Sequence, residues 1–184
     1  MFSSNEQTSR KSIGQGMLIA SFCLGLIALT IFFDGVLQTQ LNPNSDPDFN
    51  ERNNGTWDVV LKRNRQGHYV AGGAINSVPV TFLLDTGATD VAIPDAIANN
   101  LGLNRGYVGQ AATANGIIRV YSTILAELNI GNILLHDVEA SITPSMGGET
   151  ILLGMSALKQ VEFMQRGSNL TLRQLPESSM EWIR

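Results

Sequence analysis

The sequence predicts an all-β domain with one or two short helices, carried behind a single transmembrane helix. Three observations predict it. An uncharged apolar run occupies Ile13–Phe33. Short alternating apolar segments recur from Trp57 onward, and Gly- and Asn-containing turn signals separate them. The bulk numbers agree: 184 residues, 43% apolar and 15% charged, with 18 Gly and 6 Pro. That suits one domain of about 100–150 residues plus an additional segment, and excludes disorder throughout. A formal charge of −4 lacks the basic excess that phosphate binding needs, so no nucleic-acid partner is expected. One cysteine leaves no intrachain disulfide to form, and with only two histidines no Cys/His zinc site is expected. No metal or other cofactor is expected. Any chemistry falls to carboxylates, hydroxyls or backbone groups.

Taken in order, residues 1–12 form a short polar segment and residues 13–33 the span. At about 1.5 Å per residue, that span is roughly 32 Å long as a helix, close to the hydrocarbon thickness of a bilayer. The rival is a cleaved signal peptide, whose apolar region is shorter and ends in small residues. Here the far end reads Thr30-Ile-Phe-Phe-Asp-Gly-Val36, bulky where a peptidase needs small side chains. An uncleaved anchor is the expectation. Arg10 and Lys11 precede the span, and Asp34, Asp46, Asp48 and Glu51 follow it. The positive-inside rule then puts the N-terminus in the cytoplasm and the remainder across the membrane. Residues 34–56, polar and holding Pro43 and Pro47, read as a flexible linker without apolar period. The domain runs from residue 57 to 175, and residues 176–184 form a polar tail.

Within the domain, strand signals cover Trp57–Lys62, His68–Ile75, Val78–Leu84, Asp90–Ile93, Tyr107–Thr113, Ile117–Ile130, Ile133–Ile142, Thr150–Leu153, Val161–Gln165 and Leu170–Arg173. Asn76-Ser77, Asn115-Gly116 and Gly131-Asn132 are hairpin signals. Two short helices fit. One is Pro94–Leu101, opened by proline and stopped by Gly102; the other is Met155–Gln160. His68 and His136 fall in strands and read as structural or surface residues. Lys62, Arg63 and Arg65 read as a solvated turn that could touch anionic headgroups.

The chemistry centres on Val80-Thr-Phe-Leu-Leu-Asp85-Thr86-Gly87-Ala88-Thr89-Asp90, where an acid, a hydroxyl and a glycine directly follow an apolar strand. An Asx turn closing a strand would use the same Asp and Gly, so the tripeptide alone does not decide. A second apolar strand ending in glycine, Ile151-Leu152-Leu153-Gly154, lies beyond a long hairpin whose tip is Ala114-Asn115-Gly116. This combination resembles the retroviral-type (retropepsin-like) aspartic proteases of clan AA. It resembles most their bacterial membrane-anchored branch, through Thr113-Ala-Asn-Gly116 and Leu152-Leu-Gly-Met-Ser156.

The resemblance implies an acid-protease barrel and a peptide or protein substrate. It also implies two aspartates sharing a proton to activate one water, one acting as base while the other donates. This chain has one such motif, so the resemblance implies a homodimer in which each copy contributes Asp85. It assigns Thr86 to a hydroxyl bridge between the two loops and Gly87 to close backbone approach. Ala88, Thr89 and Asp90 would line the substrate cleft. Ala114, Asn115, Gly116 and Ile117 would form a flap over it, and Leu152, Leu153 and Gly154 would support the Asp85 loop. It further implies the bacterial inner membrane, with a periplasmic catalytic domain. Viral relatives carry Asp at the place of Thr89 and Arg at the place of Met155, an ion pair that helps hold the dimer. Neither charge is present here, which leaves the strands around Trp57–Leu61 and Leu170–Arg173 as candidates for the contact. The competing expectation is a non-catalytic, membrane-tethered β-domain that binds peptides or dimerises.

Overall fold

The computed structural model describes residues 5–51, 56–113 and 116–174. Two compact units emerge, Met1–Thr39 and Gln40–Arg184. Helix α1 covers Asn5–Leu41, and its stretch Gln15–Leu41 is long and apolar enough to cross a membrane. Its apolar side chains are exposed all round, as on a lipid-facing helix and unlike one with a single core-facing stripe.

The expected unstructured linker over 34–56 needs correction. The helix continues to Leu41, with the Thr39 hydroxyl donating to the Gly35 carbonyl (3.0 Å). Strand β1 (Asp48–Glu51) follows and pairs antiparallel with β2 (Trp57–Lys62). Between α1 and β1, Asn44 is 3% exposed and works as a plug. Its Nδ2 donates to the Lys62 and Val70 carbonyls (2.9 and 2.7 Å), and its Oδ1 accepts the Lys62 N–H (2.6 Å). A side-chain amide is both donor and acceptor, so it bridges backbone groups that would otherwise be buried unpaired.

The remaining elements follow the sequence pattern closely. They are β3 (Val70–Ile75), β4 (Val78–Leu84), β5 (Val91–Pro94), α2 (Asp95–Asn100), β6 (Val108–Thr113), β7 (Gly116–Ile130), β8 (Ile133–Thr143), β9 (Thr150–Leu153), α3 (Met155–Leu158), β10 (Glu162–Arg166) and β11 (Asn169–Gln174). Asn76 and Ser77 both have positive φ (48° and 68°), the backbone of a two-residue hairpin turn that matches strand twist. Helix α2 ends as expected before Gly102, whose φ is +64°.

One sheet runs in the order β3-β4-β9-β5-β8-β7-β6. Pairing of β3 with β7 through Ala74↔Asn129 and Ile75↔Leu128 closes six of these strands into a barrel and leaves β6 as a hairpin arm. Closure needs Gly73, because a Cβ there would strike the Asn129 carbonyl and the Phe82 ring. Phe82, Ile75, Leu125, Leu128, Ile142, Ile151 and Leu153 fill the interior at 0–1% exposure. Each contributes roughly 1.5–3 kcal/mol by leaving water.

A second sheet, β1-β2-β11-β10, turns Val59, Leu61, Leu170 and Leu172 toward the same core. On its other face Asp58, 5% exposed, forms a two-pronged ion pair with Arg173 (2.7 and 3.2 Å). The hydrogen bond and charge of Asp58 hold the Arg173 guanidinium above its ordinary pKa. In this sheet β2 and β11 are interior strands, paired on both sides. The strands expected to pair between copies, Trp57–Leu61 and Leu170–Arg173, therefore have no free edge. Among the described residues, the open edges are those of β1 and β10.

Candidate active site

Strands β4 and β9 lie side by side and parallel, with Leu83↔Leu152 and Leu84↔Leu153 in register. Parallel neighbours end together, so the loop leaving β4 emerges beside Gly154. The last backbone bonds of the ladder set its root: Leu84 N–H donates to the Tyr69 carbonyl (3.0 Å) and Asp85 N–H to the Leu153 carbonyl (3.1 Å).

The loop then turns on itself. Asp85 Oδ1 accepts the Gly87 N–H (2.9 Å), and Ala88 N–H reaches the Asp85 carbonyl (3.2 Å). This is an Asx turn, so the bland account of the tripeptide is structurally correct without excluding a chemical one. Asp85 is half-buried, while Thr86 and Gly87 are exposed. One carboxylate oxygen is thus engaged by backbone in a partly desolvated setting, beside two exposed residues.

The start of α3 secures the loop's far side. Met155 N–H donates to the Ala88 carbonyl (2.8 Å) and Ser156 N–H to the Thr89 carbonyl (2.9 Å). The backbone thus joins the segments that hold Thr89 and Met155, the two positions where the resemblance implied an ion pair in viral relatives. Gly154 permits the approach, since a Cβ there would meet the Asp90 and Ala88 carbonyls. The buried Ser156 hydroxyl accepts the Val91 N–H (3.0 Å) and donates to the Glu139 carbonyl (2.7 Å), tying α3 to β5 and β8. Sequence reasoning placed Ser156 in the block that carries the resemblance but gave it no role. Its only signal was a hydroxyl two residues beyond the glycine, in a segment otherwise apolar.

Asp85, Thr86, Gly87, Ala88, Thr89 and Asp90 therefore form one unit with Leu152, Leu153 and Gly154. The proposed flap residues stand apart. Ala114 and Asn115 lie outside the described residues. Gly116, with φ +112°, and Ile117, 72% exposed, start β7, and the Thr113 hydroxyl donates to the Gly116 carbonyl (2.8 Å). Among the described residues, no hydrogen bond links Gly116 or Ile117 to the Asp85 loop. No group of three His, Cys, Asp or Glu suited to a metal occurs among the described residues.

Comparison with known proteins gives this geometry a context. A family model described as "gag-polyprotein putative aspartyl protease" matches residues 71–160. The crystal structure of a retropepsin-like aspartic protease from Rickettsia conorii superposes with a TM-score of 0.58 at 25% identity, covering 70% of this chain and 96% of that one. Among curated proteins, an uncharacterized protein in the cobV 5′ region of a Sinorhizobium species is 31% identical over 123 residues, which is 65% of this chain and 53% of its own length. The uncharacterized protein RP867 of Rickettsia prowazekii is 31% identical over 107 residues, 56% of this chain and 45% of that protein. The chain thus spans about half the length of the curated relatives it matches.

Proposed function

Because this chain is a retropepsin-like protein of the clan AA aspartic-protease type, we propose that it is a membrane-anchored endopeptidase whose water is activated by two Asp85 carboxylates, one from each copy of a homodimer. The observation that carries this is the Asp85 loop. Its backbone is clamped by Leu153, Met155 and Ser156, and its carboxylate, at the end of a barrel strand, accepts the Gly87 N–H with the exposed Thr86 beside it. Two such carboxylates about 3 Å apart hold one proton between them, and so supply a base and an acid at once. Thr86 bridges the two loops, Ala88–Asp90 line the cleft, and the hairpin tip from Ala114 to Ile117 closes over a peptide. Helix α1 spans the bacterial inner membrane with its N-terminus in the cytoplasm, and the catalytic domain is periplasmic.

The open edge of β10 supports a particular mode of pairing. The two-residue turn Gly167-Ser168 makes Arg166 and Asn169 the hairpin's closing hydrogen-bonded pair, which turns the backbone groups of Phe163 and Gln165 outward. Antiparallel pairing of two β10 strands about Met164 sets Glu162 opposite Arg166 of the second copy, twice. Strand β1 carries Asp48 and Glu51 and no base, so two copies of that edge repel.

Asp85→Asn is the test. An amide cannot act as the base, so peptide cleavage by the folded variant falls by about 10²–10⁴-fold. Wild-type turnover from that variant sinks the mechanism. Mixing wild type with excess Asp85→Asn poisons activity through heterodimers. Undiminished activity in the mixture leaves a protease but removes the shared site.

A further inference from the structure

The four-stranded sheet has two ends, and bases collect at one of them. Lys62 closes β2, Arg63 and Arg65 stand in the turn after it, and Arg166 closes β10. Pairing of Lys62 with Asn169, and a hydrogen bond from Arg63 N–H to the Ser168 carbonyl (2.9 Å), bring these strand ends together. All four side chains are exposed. Asp48 lies 3.9 Å from Lys62 and offsets it, while Arg63 is held over the Tyr69 ring at 5.3 Å. Asp46 is the other exposed acid nearby in the chain. The three arginines keep their charge available to a ligand.

The same end of the sheet receives the last two residues of α1. Asn64, 7% exposed, donates from Nδ2 to the Leu41 carbonyl (3.0 Å), one of the acceptors a helix C-terminus leaves open. Arg65 Nη1 donates to Gln40 Oε1 (3.3 Å). Three residues after Leu41, the Asn44 plug is already inside the fold. The helix sets the distance. Its charge-free run ends at Phe33, and Leu41 lies roughly 12 Å further along the axis. The polar layer of a bilayer extends about 5–8 Å beyond the hydrocarbon on each side. Leu41 follows Phe33 by only eight residues, so the chain itself tethers this end of the sheet within reach of a bilayer's polar layer.

We infer that Arg63, Arg65 and Arg166, with Lys62, form a docking surface for anionic phospholipid headgroups in the leaflet nearest the domain. The inference rests on the membrane-anchored reading proposed above. Charge complementarity selects the lipid: headgroup phosphates accept charge-assisted bonds from guanidinium groups, and a net negative surface adds an attraction that a zwitterionic one lacks.

The full chain in lipid nanodiscs provides the test, with phosphatidylcholine alone or with added phosphatidylglycerol. Amide hydrogen exchange over 62–68 and 166–169 is expected to slow only where phosphatidylglycerol is present. Reversing Arg63, Arg65 and Arg166 to Glu is expected to raise the phosphatidylglycerol needed for half-maximal protection by about fivefold per residue. Exchange over β4 and β9 reports that each variant is folded. Equal exchange in both discs, from protein that co-elutes with them, overturns the docking surface and leaves the anchor standing. Failure to co-elute with any disc overturns the anchor and the surface together. Inorganic phosphate added to phosphatidylcholine discs should give no protection; if it does, the site is one for free phosphate and the lipid assignment is wrong.

Discussion

The Asp85 loop and the β6–β7 hairpin are both exposed connections on one barrel, yet they are held in opposite ways. The loop is tied to β9 and α3 at Asp85, Ala88 and Thr89, and its neighbour Gly154 has no room for a methyl group. The hairpin is held by its own ladder, and Gly116 has open space around it despite its φ of +112°. The catalysis proposed above, by paired carboxylates under a flap, calls for this division. The reacting groups must be preorganised, whereas a cover over the substrate must open and close.

The sharpest way to break the contrast is Gly154→Ala. The added methyl meets two backbone carbonyls that cannot move without releasing the loop. A loss on the order of 3–5 kcal/mol is expected, seen as a fall in Tm of roughly 10 °C or more together with loss of activity. A variant with wild-type Tm would mean that the loop is far softer than its hydrogen bonds imply.

Ser156→Ala is the intermediate case. It leaves the Val91 N–H and the Glu139 carbonyl without their shared partner, at a cost of about 1–3 kcal/mol. Faster amide exchange at Val91 is expected, with exchange across Gly116–Tyr121 unchanged. Equal acceleration in the hairpin would show that the two regions unfold as one.

Ile117→Ser should act on the other side alone. With Ile117 72% exposed, stability is expected to stay within about 0.5 kcal/mol of wild type. Loss of an apolar contact to bound peptide should lower kcat/KM by about tenfold. An unchanged kcat/KM would remove Ile117 from the flap.

Legibility from sequence divides along a similar line. The strands from β2 to β11 were readable from their apolar alternation, helped at β3, β7 and β10 by the two-residue turns Asn76-Ser77, Gly131-Asn132 and Gly167-Ser168. The Asp85 loop was readable because its acid, hydroxyl and glycine after an apolar strand are matched by Ile151–Gly154 beyond a long hairpin, the combination that carries the resemblance. Strand β1 was not, because Phe49 alone is apolar among Asp48–Glu51 and its partner β2 supplies the order. Asn44 was missed for a related reason. An amide between Pro43 and Pro47 reads as loop, and its burial depends on backbone groups of Lys62 and Val70. Ser156 likewise acts through Val91 and Glu139, which only the fold brings near.

The parallel pairing of β4 with β9 also governs when the site comes into being during synthesis. Val91 and Ser156, joined through the serine hydroxyl, are 65 residues apart in the chain. Contacts of such separation close late, after the entropy of the intervening loop has been overcome. A nascent chain that has passed Asp85 but not yet Thr150 has no Leu153, Met155 or Ser156 to receive the loop. Just before Thr150 the ribosome has delivered α1 and five of the six barrel strands, and the Asp85 loop still lacks its partners in β9 and α3. A premature stop between Asp85 and β9 therefore yields a chain whose Asp85 loop lacks every partner that β9 and α3 supply.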